Sequence, residues 1–324
     1  MVSELAMAID IGGGSVKLAL ADAAANELAT GTVEGVPDLG RDALLAAIGS
    51  SAIGLAATAR QRGRLAGVAI GVPGHLSADR RASLNSNVPA LDGIDLAGHF
   101  GALLGCAVRL ENDANLAALG EWSFGPRAAA SRFMMVTLGT GIGVALIESG
   151  RPVGVVGGTL GDSGHVIVDP AGERFCRLGC RGCLESMASG VALIEEAQRL
   201  SGEQPDTALG RLARSGREIA GADLAALGAA GDQAVLALLS RTGRWLGLGL
   251  ASYVNIFAPQ VICIGGGMSR LRPYFEEPMI EAMHEGRIKN RPAPESIYFS
   301  GDYDRAAARG AVAMFLLRGE GDVG

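Results

Sequence analysis

Asp113 follows Asn112 directly after a short apolar run, Val108 to Leu110, and opens a stretch with helical spacing that reaches Trp122. A carboxylate there can take a proton from a hydroxyl within hydrogen-bond reach, acting as a general base. It can equally cap the helix, because Asp is common at helix N-termini. Spacing alone leaves both roles open. Asp10 lies in another apolar run, Ala6 to Ile11, and is followed by Gly12, Gly13 and Gly14. A second glycine turn, Gly139-Thr140-Gly141-Ile142-Gly143, and a third, Gly265-Gly266-Gly267, also follow apolar runs. Such turns let backbone N–H groups approach phosphate oxygens closely; ordinary tight turns are the alternative. The spacing from Gly139 to Gly143 is not the G-x-G-x-x-G of dinucleotide-binding folds, and no G-x-x-x-x-G-K-[ST] loop occurs.

Five cysteines are present, and Cys176, Cys180 and Cys183 crowd into one short stretch. With His165 they supply four ligands of the types zinc prefers, enough to close a tetrahedral site. Reduced loop thiols without metal are the alternative. The odd number suits a metal clip in a reducing compartment better than a disulfide framework. His75, His99 and His284 match no motif and read as surface or cap residues, whereas Cys106 and Cys263 sit in apolar surroundings and read as core thiols.

These residues need a scaffold. A chain of 324 residues is longer than one typical core and suits two domains with a cleft between them. Ala6–Ile11 and Val16–Ala21 read as two strands around the first glycine turn. A helix from about residue 41 to 62 and a buried strand, Leu65 to Val72, follow. The pattern restarts with strands Phe133–Leu138 and Val144–Ile147 around the second turn. A loop-rich stretch runs from Gly154 to Glu185, helical patterns run from about Ser189 to Ile256, Val261–Ile264 is a buried strand, and an Ala-rich helix closes the chain from Arg305 to Leu317. This alternation indicates α/β layers. Net charge is −6 with no basic cluster, which argues against nucleic acid as partner. No uninterrupted apolar run of about 18 residues suggests a membrane span.

The segments Asp10-Ile-Gly-Gly, Glu111-Asn-Asp-Ala-Asn, Leu138-Gly-Thr-Gly-Ile-Gly, Gly161-Asp-Ser-Gly-His, Gly182-Cys-Leu-Glu and Val261-Ile-Cys-Ile-Gly-Gly-Gly stand in an order that resembles the ROK family of bacterial sugar kinases and repressors. Ordered segments are far more specific than one glycine turn. The resemblance implies an actin-like ATPase fold, hexokinase-like and ribonuclease-H-like, with two α/β domains around a cleft. Residues 1–117 with 305–324 would form the smaller domain, the C-terminal helix packing back onto it, and residues 118–304 the larger one carrying the zinc loop. It implies a cytoplasmic, homodimeric kinase that phosphorylates a hydroxyl, the primary 6-type one, of a hexose or hexose-like polyol, using ATP and Mg2+. The family's repressors carry an extra N-terminal helix-turn-helix domain, for which Asp10 stands too near the start of this chain. Two alternatives are a non-catalytic sugar-binding regulatory protein, against which Asp113 argues, and an acetate-kinase-like enzyme, against which the His and Cys cluster argues.

Residue by residue, the resemblance makes Asp113 the catalytic base and places Gly74, Asn87, Asn112, Asp162, His165 and Glu185 on the sugar. Asp10 would hold Mg2+ through water, and Gly12, Gly13, Gly14, Ser15, Lys17, Gly139, Thr140, Gly141, Gly265, Gly266 and Gly267 would form the nucleotide site. His165, Cys176, Cys180 and Cys183 would hold Zn2+, although the family's usual C-x-C-G-x-x-G-C is altered: Leu178 stands where the middle Cys belongs and Cys180 comes two residues later. Asp162 stands where the family has Glu. The retracted carboxylate should lose or lengthen one hydroxyl contact, about 1–3 kcal/mol, which points away from plain glucose. A sugar altered near the anomeric or neighbouring carbon, or a cyclitol, fits better. Gly14 stands where the family has Thr; Ser15 could stand in, and polyphosphate remains an alternative donor.

Overall fold

Side chains alternate in direction along β1 (Glu4–Ile11), and both faces are buried: Leu5, Met7, Ile9 and Ile11 enter one hydrophobic core, while Ala6, Ala8 and Asp10 belong to the opposite face. The computed structural model describes residues 3–84, 88–128, 130–155 and 158–317. β1 pairs antiparallel with β2 (Ser15–Asp22), which pairs antiparallel with β3 (Glu27–Glu34). On its other side β1 runs parallel to β4 (Arg64–Val72), itself parallel to β5 (Ala107–Asn112). The sheet order is thus β3-β2-β1-β4-β5.

Two helices, α1 (Arg41–Arg62) and α2 (Leu96–Leu104), bury Leu44, Ile48, Leu55, Leu96 and Phe100 against the leucine face of this sheet. Each such side chain contributes about 1.5–3 kcal/mol through the water it sheds. By length and composition α1 could cross a membrane; its apolar side is spent on this core. The alanine face takes α3 (Asp113–Phe124) and α10 (Ala306–Val312). These two helices cross at backbone contact, because a Cβ on Gly120 or on Gly310 would strike the backbone of the other. The closing helix expected from Arg305 to Leu317 is realised as α10 followed by a π-helical turn, Ala313–Leu317.

Contacts gather Met1–Met135, Val144–Asp162 and Ser300–Gly324 into one compact unit, and Val136–Gly143 with Ser163–Phe299 into a second. The hairpin of β6 (Arg132–Leu138) and β7 (Ile142–Glu148) contributes its tip to the second unit. With β8 (Arg151–Pro152), β9 (Val261–Gly265) and β10 (Ser296–Phe299) it forms a sheet of order β8-β7-β6-β9-β10. The second unit is otherwise helical: α4 (Leu184–Ala188), α5 (Gly190–Glu203), α6 (Ala208–Arg214), α7 (Gly221–Ala229), α8 (Gln233–Phe257) and α9 (Arg272–Gly286). Asp232 caps α8 by accepting from Ala234 N and Val235 N.

Candidate active site

In the first unit, register places Asp10 beside Gly71 and Gly71 beside Glu111, at the carboxyl ends of three parallel strands. Open α/β sheets bind ligands at such ends. A Cβ on Gly71 would stand 3.2 Å from Leu116 Cδ2, 3.5 Å from Asp10 Oδ1 and 3.6 Å from the Asp113 Cα, so the bare glycine lies between the two acidic residues. Protein crowds both carboxylates. Burial pushes Asp10 up to about 6, partly offset by Lys17, and pushes Asp113 up to about 7, helped by the negative charge of Asp10. A base poised near 7 is matched to proton abstraction at neutral pH.

The cap of α3 belongs to Asn112: its Oδ1 accepts from Ala114 N at 3.1 Å and Asn115 N at 3.3 Å. Asp113 therefore occupies the first helical position. Its Oδ1 shares the Ala114 N–H at 2.8 Å, and Oδ2 accepts nothing among the described residues. Asn112, expected on the sugar, spends one Nδ2 hydrogen on the Gly74 carbonyl at 3.2 Å, and the other has no partner among the described residues. Beneath it, the buried Glu111 takes Asn112 N and Asn115 Nδ2 on Oε1 and Arg80 Nη2 on Oε2, the last at 2.6 Å. Arg80 reaches it from a left-handed backbone position, φ 56°, which costs about 1 kcal/mol or more for a side chain of this size.

Among the other residues expected on the acceptor or the phosphates, Asn87 lies outside the described residues. Asp162 pairs with His75, Nε2 to Oδ2 at 3.2 Å; sequence patterns gave His75 no role, since nothing in its neighbourhood marks a partner so far along the chain. The first turn is closed by Gly12 N donating to Ser15 O at 3.0 Å, and open space surrounds Gly14. Lys17, expected at the nucleotide, pairs with Asp304 at 2.9 Å.

In the second unit, Gly139 and Thr140 at the hairpin tip line a cavity of about 840 Å3. Its other walls are mostly apolar: Gly190, Val191 and Ile194 from α5, Ala222 and Ala225 from α7, and Gly267, Met268 and Leu271 after β9. Gly190 N donates to Gly139 O at 2.8 Å, tying α5 to the tip. Of the third glycine turn, Gly267 lines the cavity, Gly265 ends the buried strand, and Gly266 adopts φ 98° with its Cα against the Leu138 backbone. Only glycine fits there. The contributions of α5 and α7 escaped the sequence, where those stretches show nothing beyond helical periodicity. Glu185, expected on the sugar, accepts from Ile142 N at 3.0 Å and so braces the Gly139–Gly141 turn.

His165, Cys176 and Cys180 bring one ligand atom each within 4.8 Å of one another. His165 Nδ1 lies 3.5 Å from Cys176 Sγ and 3.8 Å from Cys183 Sγ. A tight knuckle achieves this: Cys176 N donates to Cys180 O, Phe175 pairs with Arg181, and Gly179 and Gly182 take φ 85° and 63°. Burial and neighbouring thiolate charge push the Cys180 and Cys183 thiols up. Soft donors so close repel as thiolates, and a cation among them reverses that cost. Leu178 is exposed, so the residue replacing the middle Cys takes no part. The donor set fits zinc.

The ROK family profile matches residues 6–318. This chain belongs to the ROK family. The glucokinase of Streptomyces coelicolor is 30% identical over 272 residues, 82% of each chain. The glucokinase of Thermotoga maritima is 34% identical over 206 residues, which is 63% of this chain and 64% of that protein's length. A crystal structure of a ROK family glucokinase from Streptomyces griseus, in complex with glucose and AMPPNP, matches with a TM-score of 0.82 at 26% identity, covering 97% of this chain and 100% of that one. The fold is the actin-like ATPase fold. The ROK segments first seen in the sequence thus fall on the acid pair, the two glycine turns at the cavity, and the knuckle.

Proposed function

We infer that this ROK protein is an ATP-dependent kinase that phosphorylates the primary, 6-type hydroxyl of a hexose or hexose-like cyclic polyol. The observation that carries this is the state of Asp113: Asn112 caps the helix, and Asp113 is left with a free oxygen and a carboxyl pushed up to about 7. Phosphoryl transfer asks little else of a protein than position, neutralised charge and a base. Asp113 takes the hydroxyl proton as that oxygen bonds to the γ-phosphorus and ADP departs. Mg2+ supplies neutralising charge on the phosphates, and Asp10 is the carboxylate that would hold it, through water. Zn2+ would order the knuckle through His165, Cys176, Cys180 and Cys183.

The second unit favours ATP over polyphosphate as donor. A cavity of about 840 Å3 walled by aliphatic side chains accommodates a nucleoside, for which an inorganic chain has no use. The names of the relatives favour glucose, whereas the shortened Asp162 favours an acceptor altered near the anomeric carbon, or a cyclitol. The resemblance further implies a cytoplasmic homodimer, whose subunit number light scattering reads. The test is a donor-consumption screen of hexoses, amino sugars, N-acetyl sugars and cyclitols with ATP and with polyphosphate. We expect ATP consumption dependent on Mg2+ and on one acceptor group. No consumption with any pair would give precedence to a sugar-binding regulatory role.

A further inference from the structure

His75 follows Gly74 and begins a two-residue ladder, His75–Leu76 against Ser83–Leu84. Gly74 holds φ 83°, and its carbonyl accepts from Asn112 Nδ2. This ties His75 to the end of β5, where α3 and Asp113 begin. Its Nε2 stands 3.2 Å from Asp162 Oδ2. The side chains are 28% and 42% exposed, so the pair lines a surface that a ligand can reach. Ion pairs this exposed add little stability. Their place beside the base suggests another use.

A free carboxylate offers two oxygens and can accept from two neighbouring hydroxyls of one sugar ring. Here the imidazole Nε2 stands 3.2 Å from Oδ2, too close for a hydroxyl to enter between them. We propose that His75 is a specificity-determining residue: by occupying Oδ2 of Asp162 it restricts that carboxylate to one hydroxyl of the acceptor. The acceptor is then a pyranose or cyclitol ring that presents a single hydroxyl to Asp162 and gains nothing there from a vicinal second one. The inference rests on the polyol reading of the site and not on the transfer step.

The test counts hydroxyls. Binding of the preferred acceptor and its monodeoxy analogues is measured by calorimetry, without donor, to the wild type, Asp162→Ala, His75→Ala and His75→Gln. A hydroxyl read by Asp162 is one whose removal weakens binding to the wild type and has no effect in Asp162→Ala. The loss should be about tenfold to a hundredfold, the range for one hydrogen bond to a charged group. We expect one such hydroxyl in the wild type, two on adjacent carbons in His75→Ala, and one in His75→Gln, whose side chain can fill the same space. Two in the wild type, or an unchanged count in His75→Ala, would overturn the proposal. Binding with the expected counts but no phosphorylation of any acceptor would remove the kinase reading and leave this one standing.

Discussion

At the scale of single residues, the account turns on which of two neighbours does the capping. Asn and Asp cap equally well, so the sequence Asn112-Asp113 could not apportion the tasks; the hydrogen bonds from Ala114 N and Asn115 N to Asn112 do. A stability prediction follows from the raised Asp113. Because its folded-state value lies near 7, above the ordinary carboxylate value, the folded protein favours the protonated form, and stability present at low pH is lost as pH rises through about 7. Asp113→Asn removes that loss. Its Tm should exceed the wild type's at pH 8, by about 1–3 kcal/mol in stability after allowing for partial exposure, and match it near pH 4; equal Tm values at pH 8 would show that the carboxyl is not desolvated. Asp162 supports a second prediction. Asp162→Glu restores the longer reach, so the ratio of kcat/KM for glucose over the preferred acceptor should rise by about tenfold, and an unchanged ratio would mean that residue 162 does not read the sugar. His75, by contrast, was illegible in the sequence, because its meaning comes from a partner that only the fold brings near.

At the scale of elements, the hairpins and parallel strands were legible because short apolar runs, which prove buried on both faces, end abruptly at glycine, as at Ile11 and Leu138. The helical stretch from Ser189 to Ile256 was legible only as helical. Its division into α5, α6, α7 and α8 depends on turns such as Gly216 at φ 76° and Gly231 at φ 79°, which composition does not disclose. The knuckle shows how an element can rescue an altered motif. Leu178 turns outward, and the Cys176–Cys180 backbone pairing brings Cys180 to His165 and Cys176 in its place. Metal analysis of gently purified protein should therefore find one zinc per chain. Cys180→Ser should lower zinc occupancy and Tm together, by roughly 5 °C or more, whereas Leu178→Ser should change neither. Full zinc occupancy in Cys180→Ser would exclude that thiol from the site.

At the scale of the molecule, the fold class was legible from six ordered segments, and so were Gly139, Thr140 and Gly267, which line the cavity, while its α5 and α7 walls were not. The apolar residues of those two helices also satisfy ordinary helix packing. Asp10, Asp113 and Asp162 belong to the first unit, whereas His165, Glu185 and the mostly apolar cavity belong to the second. Loss of the base should therefore leave nucleotide binding intact. The most direct test is to compare Asp113→Asn with the wild type in single-turnover phosphorylation of the preferred acceptor, together with calorimetric binding of a non-hydrolysable ATP analogue. The account predicts that transfer slows by about 10²- to 10⁴-fold, the usual contribution of a general base, while affinity for the analogue changes by less than about twofold. A variant that kept more than about a tenth of the wild-type rate, with chemistry limiting, would contradict the account, because removal of the base would then have cost less than proton abstraction contributes.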